Sequence, residues 1–174
     1  MAVTPLNATA GSVSANAYAT LVEADQYHED RPAVGTTWAG ATNDQKTAAI
    51  LFATKLLDRL WRWNGYTTTS EQALMWPRGG LMKPNQWESL PDDTIPAEIR
   101  DACAEYARQL LAGDIAGNSD IETQGITAIT AGPVSLEFKE NVSAKPIPDT
   151  VVYLIPREWG YSTSRGGQRS SLRT

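Results

Sequence analysis

The sequence predicts a mainly α-helical fold: a small helix bundle of three main helices plus short ones, with one β-hairpin and extended terminal arms. Three observations point there. Two capping boxes, Thr20-Leu-Val-Glu23 and Thr42-Asn-Asp-Gln45, each open a stretch whose apolar residues recur at three- and four-residue spacing. Pro96 opens a third such stretch, which Gly113 closes. One segment, about 126–138, instead alternates with period two on either side of Ala131-Gly132-Pro133, the pattern of a hairpin.

Residues 1–17 are rich in Ala, Thr, Ser and Asn without a hydrophobic period, and read as a loose arm. In the first helix Leu21, Ala24 and Tyr27 share a face, and Pro32 ends it by pushing the preceding residue out of the helical region. A loop with Trp38 follows. The longest helix is expected over 43–63, at the centre of the bundle, with Ala49, Ile50, Ala53, Leu56, Leu57, Leu60 and Trp61 inward and Asn64-Gly65 as its stop. From Tyr66 to Ile95, prolines and paired glycines predict an ordered loop anchored by tryptophans, with a helical turn at Ser70–Leu74. The third helix, 96–112, has Ile99, Cys103, Tyr106 and Leu110 on one face. Asp149 is placed to cap a short helix over 150–155. The body is thus 18–155, and 156–174 a basic tail.

A chain of 174 residues, 41% hydrophobic and 20% charged, suits one soluble domain. Six tryptophans against two phenylalanines favour half-buried positions and interfaces. The single cysteine, Cys103, excludes an internal disulfide and a multi-cysteine metal site. The first residues lack the basic and apolar regions of a signal peptide, and no apolar run reaches membrane-spanning length, so a cytosolic origin and no membrane partner are expected. The net charge of −5 argues against a generic nucleic-acid-binding surface. From Arg157 onward, however, four arginines stand against one acid, so the tail suits an acidic partner or a phosphate backbone, unless it is simply solvated.

No enzyme motif emerges. His28 is the only histidine and falls on the polar side of a short helix, while Cys103 lies on an apolar face where a thiol is inert. The carboxylate pairs suit solvated faces, no spacing fits a metal, and Gly79-Gly80 lacks the setting of a phosphate loop. No catalytic, cofactor-binding or metal-binding residue is expected. One constellation remains, Trp61-Arg62-Trp63 with Trp76-Pro77-Arg78, whose rings and guanidinium groups could stack single-stranded bases. Lacking a basic surround, it is better read as the anchor of the Trp-rich loop on the end of the long helix.

Five collinear stretches carry a likeness: Tyr18–Asp25, Lys46–Asp58, Trp63-Asn-Gly65, Gln72–Arg78 and Ile95–Ala102. Over about 18–155 the chain resembles the phage head–tail connector (adaptor) family of the neck, whose members are often labelled DnaT-like single-stranded-DNA-binding proteins. The resemblance implies a structural virion protein, made in the host cytoplasm and located between capsid and tail. It implies a homo-oligomeric, dodecameric ring that docks on the portal protein, meets a tail or second neck protein, and lets double-stranded DNA pass through its lumen. On that reading Arg157, Trp159, Arg165, Arg169 and Arg173 would face the portal. The hairpin residues Ile126, Ile129, Val134, Leu136 and Phe138 would face a neighbouring subunit or the tail. The alternative is a single-stranded-DNA-binding replication protein that uses Trp61, Arg62, Trp63, Trp76 and Arg78.

Overall fold

The computed structural model describes residues 3–31, 36–113, 128–131, 134–137 and 147–163. Among these are five α-helices: α1 (Leu21–Glu29), α2 (Thr36–Ala39), α3 (Asn43–Leu60), α4 (Ala97–Ala112) and α5 (Asp149–Leu154). Three antiparallel two-stranded ribbons accompany them. Their strands are β1 (Trp61–Trp63) with β6 (Gly160–Ser162), β2 (Tyr66–Thr67) with β3 (Arg78–Gly79), and β4 (Ala128–Ala131) with β5 (Val134–Glu137). The mainly helical expectation holds in outline.

Both capping boxes form as their sequences require. Thr20 Oγ1 accepts from the Glu23 amide at 3.2 Å while Glu23 Oε2 accepts from the Thr20 amide at 2.8 Å, and Thr42 and Gln45 repeat the exchange. α4, rather than α3, is the centre of the bundle, since α1, α2, α3 and α5 all pack on it. It is buried from Ala102 through Ala107 without interruption, and small residues at 102, 103, 104 and 107 let four partners approach. Pro96 is its N-cap, one position earlier than expected, and Gly113 ends it. Glu105, wholly inside, is neutralised by Arg31 and by Arg108, whose Nη2 donates at 2.7 Å, with Gln109 Nε2 donating at 3.0 Å. Burial alone would raise the Glu105 pKa, but these donors outweigh it and hold the carboxyl below its usual range.

Several expectations are corrected, most of them because a distant segment supplies partners that local sequence cannot reveal. The arm is ordered. Asn7 donates its amide to Asn16 Oδ1 at 2.7 Å and its side-chain nitrogen to Ser14 O at 3.1 Å, while Asn16 Nδ2 donates to Pro5 O at 2.9 Å. Those bonds fold residues 5–17 into a closed loop that sends Ala15, Ala17, Tyr18 and Ala19 into the core. No helix forms at Ser70–Leu74. Thr69 and Gln72 exchange side-chain bonds as a capping box would, but the Ala73 amide donates to Ser12 O of the arm at 3.2 Å. Trp38 lies on α2 rather than in a loop, its Nε1 donating to Asp25 Oδ1 at 2.8 Å. Asp149 is inside α5, and Pro148 precedes the helix as N-cap without a side-chain bond. His28 is not on a polar face. It is buried between Tyr27 and Trp38, with Nε2 3.1 Å from Ala104 O, and burial lowers its pKa.

The chain end departs most from expectation. α3 stops at Leu60, and Trp61-Arg62-Trp63 is a strand because residues 160–162 pair with it, Trp61 with Ser162, Arg62 with Tyr161 and Trp63 with Gly160. Bonds from the Asn64 amide to Trp159 O and from the Thr163 amide to Leu60 O, both 2.8 Å, extend the ladder at either end. Trp159, expected to face a partner, is fully buried and donates Nε1 to Met82 O at 2.8 Å. Residues 157–163 therefore belong to the folded body, and Arg157 stands exposed on a single 3-10 turn. The hairpin expected over 126–138 forms between Ala128 and Glu137, which places Ile129, Val134 and Leu136 in its strands; Ile126 and Phe138 lie outside the described residues.

Candidate nucleic-acid interface

Strand alternation decides what β1 shows to solvent. Trp61 and Trp63 turn inward and Arg62, between them, turns outward. Inside, Trp61, Trp63, Trp76 and Trp159 form a chain of rings with centroid separations of 5.5, 5.4 and 5.4 Å. Trp76 is 1% exposed and precedes a cis peptide bond to Pro77. Arg78 is 7% exposed, and its guanidinium is spent on backbone carbonyls: Nε to Asn64 O at 2.7 Å, Nη1 to Met75 O at 3.0 Å and Nη2 to Gly65 O at 2.9 Å. Of the five residues weighed for base stacking, Trp61, Trp76 and Arg78 are thus interior and Trp63 is half-buried. Arg62 alone is exposed.

What surrounds Arg62 is new. Lys55 and Arg59 are exposed on α3, one turn apart, on the side away from the buried Ala53, Thr54 and Leu57. Arg62 carries this line of cations onto β1, and its register partner Tyr161, 64% exposed, stands beside it on β6. The acid nearest in sequence, Asp58, does not oppose them because it points into the body. It accepts from the Tyr18 hydroxyl and from the Met75 amide.

Burial raises the Asp58 pKa from 3.8 to about 6. The folded protein therefore holds a proton that the unfolded chain releases, and stability falls as pH rises from about 4 to about 6, then levels off. Asn at this site keeps an acceptor for Tyr18 without the buried charge. Asp58→Asn is accordingly expected to stabilise the protein by about 1–3 kcal/mol at pH 8 and to flatten that slope. Urea melts of both forms at pH 4.5 and 8 measure it, and equal pH slopes would refute it.

Over residues 6–168 the sequence matches the model of the family described as "Putative DnaT-like ssDNA binding protein". The chain belongs to this DnaT-like family. No curated protein and no solved structure matches it. The match begins inside the arm and runs past β6. It also corrects the functional expectation. A DNA-binding description replaces the head–tail connector, and with it go the portal docking, the neck ring, the tail contact and the virion location built on that reading. Of the residues assigned to the portal, Arg157 is exposed and Trp159 is core, while Arg165, Arg169 and Arg173 lie outside the described residues.

In this DnaT-like chain the cationic line was hidden from sequence reading for two reasons. Lys55 and Arg59 look like ordinary solvated helix positions, and Tyr161 reads in sequence as part of a tail. The available signal was the exposed spacing Lys55, Arg59, Arg62. Thr163, fixed to Leu60 O through its amide at 2.8 Å and its hydroxyl at 3.0 Å, adds to it. That anchor holds Thr163, just after β6, at the end of α3. Cys103 is buried, and burial pushes its thiol up to about 11, in keeping with an inert residue. Among the described residues no group of three His, Cys, Asp or Glu side chains could hold a metal, and no helix is long and apolar enough to cross a membrane.

Proposed function

We propose that the protein is a non-enzymatic single-stranded-DNA-binding protein, and that the strand lies along Lys55, Arg59 and Arg62 with Tyr161 beside them. Family membership supports the ligand, and the exposed cation line flanked by an aromatic ring supports the surface. Unpaired strands need both features: cations to follow the phosphates and π faces for the bases. The net charge of −5 is compatible with this, because affinity depends on the local field of one face. An acidic remainder would confine the strand to that face. The burial of His28 between two aromatic rings supports the non-enzymatic part of the reading.

Each cation is expected to contribute a phosphate contact. Single changes of Lys55, Arg59 or Arg62 to Ala should weaken binding of oligothymidylate uniformly and reduce the steepness of its salt dependence by about one phosphate's share. The triple change to Glu should abolish binding at low salt while circular dichroism and melting temperature stay close to the parent, since all three side chains are exposed. Retained affinity in the triple variant would move the strand elsewhere on the molecule.

A further inference from the structure

Tyr66 is 63% exposed, yet its ring is not free to wander. It stands opposite Gly79 across the β2–β3 ribbon and lies against that residue's backbone. A Cβ on Gly79 would come within 2.7 Å of Tyr66 Cε2 and 2.9 Å of its Cζ; one on Gly80, where φ is +77°, would come within 3.0 Å of Cε1. Two glycines in a row thus form a flat bed on which one face of the phenol rests, a cross-strand pairing known to protect glycine in small sheets. The buried Arg78 guanidinium fixes that bed, since its three bonds tie the Asn64-Gly65 turn, which leads into Tyr66, to Met75 in the loop that leads into Gly79. The side of the ring away from the glycines remains available.

We propose that Tyr66 is the stacking residue of the single-strand site, receiving one base on the face opposite Gly79 and Gly80, with Arg78 as a positioning residue. This rests on the single-strand-binding reading above. Tyr66 follows Arg62 by four residues, on the next strand after a turn, and single-strand sites combine cations that track the backbone with rings on which bases stack. A ring already ordered on a rigid bed loses little freedom when a base covers it. Beyond β2, Thr68 Oγ1 donates to the backbone carbonyl of Asp92 at 2.6 Å, which ties the ribbon to the segment ahead of α4.

The test is fluorescence anisotropy of labelled oligothymidylate with the full chain and its Tyr66→Phe, Tyr66→Leu and Gly79→Ala variants. Leu keeps an apolar cover over the glycines but has no π face, which separates stacking from support. Tyr66→Phe should bind within about twofold of the parent. Tyr66→Leu should lose about tenfold, the worth of one base–aromatic stack, with the slope of affinity against salt unchanged because no phosphate contact is lost. Gly79→Ala, which displaces the ring without removing it, should fall between them. Parental affinity in Tyr66→Leu would overturn the assignment of Tyr66 and leave the single-strand reading standing. No binding by the parent at low salt would remove both.

Discussion

Ending the chain at Pro156 is expected to lower the melting temperature by about 10 °C or more relative to a chain that ends at Thr163. The difference lies in seven residues. They carry Trp159, which fills the end of the tryptophan row and donates to Met82 O, and β6, which gives β1 its partner. Deleting a buried tryptophan costs about 3–5 kcal/mol, and the lost ladder leaves backbone groups of residues 60–64 without their partners. Differential scanning fluorimetry on the two truncations measures this. A chain ending at Pro156 that melts with the parent would mean that residues 157–163 are the dispensable tail that sequence alone predicts.

Arg78→Lys should be nearly as harmful, with a loss of about 2–4 kcal/mol by chemical denaturation. The change looks conservative, but three carbonyls, from Asn64, Gly65 and Met75, converge on three different nitrogens of one planar group. A lysine places one ammonium where a fork is required and cannot match all three carbonyls in that geometry. The same variant should weaken oligonucleotide binding while still folded at low temperature, because the glycine bed under Tyr66 loses its brace. Loss of less than about 1 kcal/mol would show that the turn and loop hold each other without the guanidinium.

What sequence revealed and what it hid divide along one physical line. The starts of α1 and α3 were legible because a capping box closes within four residues, and α4 because Pro96 and Gly113 bracket a helical period. The alternation around residues 128–137 marked the hairpin for the same reason. Hidden features depend on partners far along the chain. Asn7 and Asn16 close the arm loop, whose Ser12 O accepts from Ala73, and Trp63 pairs across to Gly160. Trp61-Arg62-Trp63 continues a helical apolar stripe until a strand from the other end of the chain makes it extended. The interface was half legible. Arg62 was singled out, but in the company of rings that prove to be interior, while Lys55, Arg59, Tyr161 and Tyr66 acquire meaning only from which faces remain open.

The most direct test of the account is a salt series of anisotropy titrations, with the full chain and labelled oligothymidylate, from about 20 mM to about 200 mM sodium chloride. The account predicts measurable binding at the lowest salt and a linear fall of log affinity with log salt. Its slope should be about −2, as expected when Lys55, Arg59 and Arg62 each neutralise one phosphate of a single strand. A duplex of equal length should bind more weakly, because its bases are not free to stack. No binding at the lowest salt, or an affinity indifferent to salt, would contradict it.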